Sequence, residues 1–62
     1  MTILLIGSGG REHAILSKIA RSPLADKIYA LPGNGGMESL AECVPIGAKD
    51  IPAIVDFAKT HA

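Results

Sequence analysis

The sequence predicts an α/β fold in which helices cover a parallel β-sheet. Residues 2–6 form a continuous run of β-branched and leucine side chains that stops at a glycine cluster. Such a run is typical of a parallel strand that is buried on both faces. From Arg11 onward the apolar residues recur at helical spacing, so a helix follows the strand directly. A strand followed by a crossover helix is the unit from which parallel sheets are built.

The first helix is expected to begin at Arg11 and to end near Arg21. Ile15, Leu16 and Ile19 share one face of it, and Pro23 cannot extend it. Residues 27–31 (KIYAL) then predict a second strand, which ends at the turn cluster 32–36 (PGNGG).

The rest of the chain predicts a short strand and a second helix. Residues 37–41 favour one or two helical turns, and residues 43–46 favour a third strand. Pro45 cannot donate to a ladder, which predicts that this strand lies at an edge. Asp50 is a good N-cap for the last helix, in which residues 51, 54, 55 and 58 form an apolar stripe beside Phe57.

The resulting order, β-α-β-(α)-β-α, predicts a sheet that is incomplete at its C-terminal end. A helix after a parallel strand normally crosses over to deliver another strand, and here none follows. The apolar stripe of the last helix also calls for a sheet larger than three short strands. We therefore expect residues 1–62 to be part of a larger domain.

Composition and charge exclude several function classes. Six basic residues balance six acidic ones, and one Tyr, one Phe and no Trp offer no stacking platform, which disfavours nucleic-acid binding. The longest apolar run falls far short of the roughly 20 residues of a membrane span. The start also lacks the basic region of a signal peptide. With a single cysteine, Cys43, no internal disulfide can form, and a cytoplasmic location is predicted.

The first loop, residues 7–13 (GSGGREH), carries the strongest indication of chemistry. Its glycines let a ligand approach the backbone, and we expect a positive φ at Gly10. The first amides of the following helix and its dipole favour an anion such as a phosphate. Arg11 adds a cation that can hold phosphate oxygens bidentately. The alternative is a strand–helix turn that needs glycine for its geometry alone.

The type of phosphate ligand is narrowed by what the first loop lacks. Glu12 stands at the third glycine position of the dinucleotide fingerprint, and the acid expected about 20 residues further on is replaced by a Leu-Pro-Gly sequence. The loop has no Gly-Lys-Ser/Thr of a Walker A motif either. A smaller phosphorylated metabolite is favoured. The first half of a nucleotide-cofactor oxidoreductase stays the alternative, and a standalone interaction module is a further one.

The second loop, residues 32–36, leaves the carboxyl end of the second strand. Ligands of open parallel sheets bind outside the carboxyl ends of the strands, so both loops are expected at one edge. Asn34 could offer a donor and an acceptor to a sugar hydroxyl. A turn in which Asn and Gly tolerate φ > 0 explains these residues equally well.

The combination of GSGGREHA after a strand, Lys27-Ile28-Tyr29 and the PGNGG turn resembles the phosphoribosylamine–glycine ligase family, also called glycinamide ribonucleotide synthetases. The resemblance covers essentially the whole chain. It implies a Rossmann-like, three-layer pre-ATP-grasp domain, present in part over residues 1–62, with the ATP-grasp and C-terminal domains absent from this chain. It also implies an ATP-dependent ligase of purine biosynthesis that joins glycine to 5-phosphoribosylamine, and a 62-residue chain that is inactive alone.

The resemblance also implies where substrates and cofactors bind. The phosphoribosylamine site would include Gly9, Gly10, Arg11, Glu12, Pro32, Gly33 and Asn34. ATP and Mg²⁺ or Mn²⁺ would bind outside this part of the protein, and no catalytic or metal-binding residue is expected within it. The expected partners are small-molecule substrates and the remainder of the same polypeptide, without nucleic acid or membrane.

Other candidate residues favour structural roles. Glu12 either contacts the amine or ribose of the ligand or simply complements the helix dipole. His13 is expected to pack or hydrogen-bond at the helix start, because no partner acid is identifiable for a base. His61 is expected at the surface, and Cys43 as a small buried group rather than a nucleophile.

Overall fold

The computed structural model describes residues 1–61, which form three layers. The strands are β1 (Thr2–Gly7), β2 (Lys27–Pro32) and β3 (Glu42–Cys43), and the helices are α1 (Gly10–Ile19) and α2 (Ile51–His61). A 3₁₀ turn, Gly35–Met37, lies between β2 and β3. The three-stranded sheet is parallel in the order β1-β2-β3, which confirms the α/β prediction.

The central strand β2 carries the core. Ile28 and Ala30 on one of its faces join Leu16 of α1 and Met37 of the 3₁₀ turn in a cluster that is buried or nearly so. Leu31 is also fully buried but lies outside this cluster. Because side chains alternate along a strand, Leu31 belongs to the opposite face. Both faces of β2 are therefore covered.

β1 is less buried than its sequence predicts. Ile3 and Leu5 pack against the core cluster, but none of the strand's residues is fully buried, and Ile6 is 38% exposed. The reason is its place in the sheet: β1 pairs only with β2, whereas β2 has a neighbour on each side.

α2 lies on the face of the sheet opposite α1, where Phe57 meets Tyr29 of β2 edge to face with ring centroids 4.9 Å apart. Its N-terminus is capped as predicted, because the Asp50 carboxylate accepts a hydrogen bond from the Ala53 amide (3.3 Å). No residue of α2 is fully buried, and Ile51 and Val55 of the predicted stripe stay 60% and 46% exposed. Three strands thus cover only part of the stripe.

The elements between β2 and α2 differ in their bounds from the prediction. Helical structure begins at Gly35, two residues before the predicted start at Met37, because Asn34 caps the turn through Gly36. β3 covers Glu42–Cys43 rather than 43–46. The Val44 amide still donates to Ala30 O (2.9 Å), but Pro45 has no N–H, which ends the ladder there. The predicted edge position of this strand is confirmed.

Candidate functional site

The two glycine loops lie side by side at the carboxyl end of the sheet. The parallel register pairs Gly7 with Pro32, so β1 and β2 end at the same height. The Gly33 amide donates to Gly7 O (3.0 Å), and the Asn34 carboxamide donates to Ser8 O (2.6 Å). The loops therefore form one continuous surface, at the edge where ligands of open parallel sheets bind.

The first loop presents the N-terminus of α1. Gly9 is the N-cap and, having no side chain, makes no side-chain capping bond. The first intrahelical bond runs from the His13 amide to Gly9 O (3.1 Å). The amides of Gly10, Arg11 and Glu12 therefore precede the helical ladder, as the first turn of any helix requires. A Cβ built on Gly10 would meet no atom within 4 Å, so the space beside this residue is open.

The positive φ of this loop lies at Gly7 (135°), and the expectation of a positive φ at Gly10 was wrong. The physical reason is that Gly10 is already the first residue of α1, with helical backbone. The chain turns out of β1 three residues before Gly10, where Gly7 takes a positive φ that other residues avoid.

Glu12 folds back over the first loop. A Cβ on Gly7 would lie 2.7 Å from Glu12 Cγ, and one on Gly9 would lie 2.8 Å from Glu12 Oε2. The glycines therefore make room for this side chain. Glu12 is half-buried, whereas Arg11 beside it is exposed. Together they are the charged residues of the two loops, one of each sign.

The second loop is held by its own geometry. Gly33 adopts a φ of 70°, and the Asn34 carboxamide oxygen accepts from the Gly36 amide (2.9 Å). Pro32 ends β2 and is half-buried. The turn explanation therefore holds for Gly33 but was wrong for Asn34, which has a φ of −149° and acts as a side-chain cap instead. The hydrogen bond from Asn34 to Ser8 could not be predicted from the sequence, because the two residues lie 26 positions apart.

Both histidines and the cysteine pack against neighbours. The His13 imidazole lies over the second loop, where a Cβ on Gly36 would be 3.0 Å from Cε1, in agreement with a packing role. His61 is exposed as predicted, but it also stacks on Phe57 with centroids 4.0 Å apart, which the sequence did not indicate. Cys43 is half-buried, and its thiol lies 3.5 Å from Asn34 O.

The opposite end of the sheet has a different character. An open groove of about 440 Å³ lies there, with Lys27, Ile28 and Leu40 in its lining. The ion pairs of the described residues are at this end too: the N-terminal ammonium with Asp26, and Lys27 with Glu42 (3.0 Å). The groove borders the amino ends of the strands, so it is separate from the paired loops.

Residues 1–61 contain neither a cluster of metal ligands nor a membrane-spanning helix. No three His, Cys, Asp or Glu side chains converge as a metal site would require. Neither helix has the length and apolarity to cross a membrane.

The fold and the paired loops define a Rossmann-like α/β fragment with a helix N-terminus at the carboxyl edge of its sheet. All 62 residues match the family model described as phosphoribosylglycinamide synthetase, N domain, and the chain belongs to this family.

The chain is also similar to full-length relatives that carry the name phosphoribosylamine–glycine ligase. It is 57% identical to the relative from Haemophilus influenzae over 61 residues, which are 95% of this chain and 14% of that protein. It is 56% identical to the relative from Yersinia pestis over 63 residues, 98% of this chain and 15% of that protein. It is 53% identical to the relative from Agrobacterium fabrum over 62 residues, which are 100% of this chain and 15% of that protein. The chain thus spans about a seventh of the length of these relatives.

Proposed function

We propose that this chain is the N-terminal part of an ATP-dependent ligase of purine biosynthesis that joins glycine to 5-phosphoribosylamine, giving glycinamide ribonucleotide, ADP and phosphate. The observation that carries the proposal is the family match over residues 1–62 together with the open helix terminus beside Arg11. The part described here would contribute to the phosphoribosylamine site.

The phosphate of phosphoribosylamine would bind at the N-terminus of α1. The Gly10 and Arg11 amides lie in the first turn of α1, where amides have no intrahelical acceptor, and the positive end of the helix dipole favours an anion there. The exposed Arg11 guanidinium can close on two phosphate oxygens. Gly9 would border the same site as the N-cap residue of α1, on the side that the Glu12 carboxylate covers.

Glu12 supports a direction for the bound substrate. Its carboxylate covers Gly7 and Gly9, so a phosphate would be repelled from that side of the loop and attracted to the Gly10–Arg11 side. A hydroxyl or amine of the ribosylamine would instead be attracted to the carboxylate. The sugar would then extend toward Pro32, Gly33 and Asn34 of the adjoining loop.

ATP and its Mg²⁺ or Mn²⁺ would bind to the remainder of the polypeptide. The loops of this chain carry no Gly-Lys-Ser/Thr sequence to hold a nucleotide triphosphate. The metal ion would supply charge neutralisation of the ATP phosphates when bound. A cytoplasmic location and the two further domains belong to the same proposal.

The alternative, an oxidoreductase with a dinucleotide cofactor, is less well supported. The fingerprint of such enzymes needs glycines that let the pyrophosphate approach the loop, and here Glu12 occupies the third of these positions and its carboxylate covers Gly7 and Gly9. Calorimetric titration of the full-length protein with NAD and NADP is expected to show no specific binding. Micromolar affinity for either would favour the oxidoreductase.

The test of the proposal is the reaction itself in the full-length polypeptide. ADP release is expected to require both glycine and 5-phosphoribosylamine. Arg11→Ala is expected to lower kcat/KM for phosphoribosylamine roughly ten- to a hundred-fold, since a hydrogen bond to a charged group contributes about 1.5–3 kcal/mol. KM for ATP and glycine should change little.

Arg21→Ala is the matched control, because Arg21 is an exposed arginine just beyond the other end of α1. Its kinetics should equal those of the unmodified protein. Unchanged phosphoribosylamine kinetics in Arg11→Ala would remove Arg11 from the site. A rise in KM for ATP instead would mean that the loop faces the nucleotide.

A further inference from the structure

We propose that Asn34 is a positioning residue: its side chain joins the two glycine loops and orients the α1 amides that receive the substrate phosphate, without touching the substrate. This inference rests on the proposed function. It assigns to Asn34 a different role from the direct substrate contact that the family resemblance implies.

The geometry of the Asn34 carboxamide carries the inference. Its Nδ2 donates to Ser8 O (2.6 Å), and its Oδ1 accepts from the Gly36 amide (2.9 Å). Ser8 immediately precedes the N-cap residue Gly9. The side chain thus fixes the backbone on which the first turn of α1 is built, and it fixes the start of the 3₁₀ turn at the same time.

No side chain caps α1 in the described chain, since its N-cap is a glycine. A helix start without a side-chain cap gains its orientation from the backbone that leads into it. The leading backbone has a second tie to the other loop, the bond from the Gly33 amide to Gly7 O (3.0 Å). That bond is made between two backbone groups, whereas the tie to Ser8 requires a side chain that donates.

The hydrogen bonds that Asn34 already makes within the protein argue against direct substrate contact. A carboxamide has two N–H groups and an oxygen, and both ends of Asn34 already have a protein partner. A ligand that displaced the N–H group bound to Ser8 O would loosen the loop that holds its own phosphate, which leaves only the second N–H group for a ligand. Preorganisation of the amides favours keeping both bonds when the substrate is bound.

Asn34→Asp separates the two bonds. Aspartate keeps the acceptor for the Gly36 amide, so the turn can still form, but it replaces the donor to Ser8 O with a second acceptor. In the full-length polypeptide we expect KM for phosphoribosylamine to rise roughly three- to tenfold, with KM for ATP unchanged. Hydrogen exchange of the His13 and Gly33 amides, whose acceptors Gly9 O and Gly7 O flank Ser8, should also become faster in the absence of substrate. Ser39→Ala, an exposed position beyond the 3₁₀ turn, is the control and should change neither quantity.

A double-mutant cycle between Asn34→Asp and Arg11→Ala distinguishes positioning from contact. If Asn34 acts through the amides beside Arg11, the double variant should lose less than the product of the two single losses. If the losses caused by the two substitutions simply multiply, the inference is overturned. Wild-type KM values and hydrogen-exchange rates in Asn34→Asp would overturn it as well. If instead Arg11→Ala has no effect on KM for phosphoribosylamine, the proposed phosphate site itself is wrong. This outcome differs from a failure of the positioning role of Asn34, in which Arg11→Ala still raises that KM.

A measurement without substitutions covers the case in which Asn34→Asp does not fold. Ribose 5-phosphate, a stable analogue of the substrate, is added to the unmodified full-length protein while its NMR spectrum is followed. The backbone amide signals of Gly10 and Arg11 should shift, and the side-chain amide signals of Asn34 should stay in place. An Asn34 shift as large as that of Arg11 would show direct contact and overturn the inference. Signals that all stay in place would count against the proposed site.

Discussion

The backbone of Gly33 lies directly against the side chain of Cys43. A Cβ built on Gly33 would be 2.6 Å from Cys43 Sγ and 2.9 Å from the Ala30 Cβ. Gly33 also has a φ of 70°, which other residues adopt at a cost. The second loop is therefore fitted onto β2 and β3, and this contact sets how closely it can approach the sheet.

Gly33→Ala is expected to lower the local stability of the loop and of β2 by about 2–4 kcal/mol, from the left-handed backbone and the overpacking together. Hydrogen exchange of the β2 amides in the full-length polypeptide measures this change. Gly35→Ala is the control, because no atom lies within 4 Å of its added Cβ and its φ is not positive. Cys43→Ala should restore part of the loss. Equal exchange in the Gly33 and Gly35 variants would contradict the packing argument.

Gly10→Ala should separate stability from substrate binding. Alanine favours a helix over glycine by up to about 1 kcal/mol, and the added methyl group at Gly10 meets no neighbour. The domain should become slightly more stable, while KM for phosphoribosylamine rises because the methyl group stands where a phosphate approaches. Gly47→Ala, also in open space but outside both loops, should leave KM unchanged. A Gly10→Ala protein with normal KM would show that these amides do not receive the phosphate.

The isolated 62-residue chain is expected to be marginally stable. Among residues 1–61, five form the buried core, and seven large hydrophobic side chains, Ile51 among them, are more than a third exposed. A chain of this size buries only about 60% of its unfolded surface. Circular dichroism should show a broad, low-temperature unfolding transition, and no ATP hydrolysis should be detected. A sharp transition above about 65 °C in a monomeric sample would contradict this expectation.

Phe57 is expected to be the main anchor of α2 in this chain. It contacts Tyr29 of the sheet and stacks on His61, while Val55 and Asp56 beside it are exposed. Phe57→Ala should cost about 1–3 kcal/mol, less than a fully buried phenylalanine because the side chain is half-buried. The loss should be seen as reduced helicity at low temperature. Val55→Ala, at a 46% exposed position, should change helicity little. Similar losses in both variants would mean that α2 has no single anchor.

The regular elements were predictable from the sequence because their signals are local. The apolar run 2–6, the glycine break and the change to helical spacing place β1 within one residue and α1 within two residues of their observed bounds. Asp50 predicted the start of α2 for the same reason, since a cap and its amide lie three residues apart. The third strand was less well predicted, because a two-residue strand exists only through its pairing with β2.

By itself, the sequence determined the type and order of the elements and the presence of two glycine loops at strand ends. These depend on side-chain period and turn chemistry within a few neighbouring residues. Only the tertiary structure decided that Asn34 holds Ser8, that Glu12 covers Gly7, and that β1 is an edge strand. Those relations depend on the parallel register of β1 and β2 and on the orientation of single side chains. Contacts between residues far apart in the chain exist only when packing brings them together.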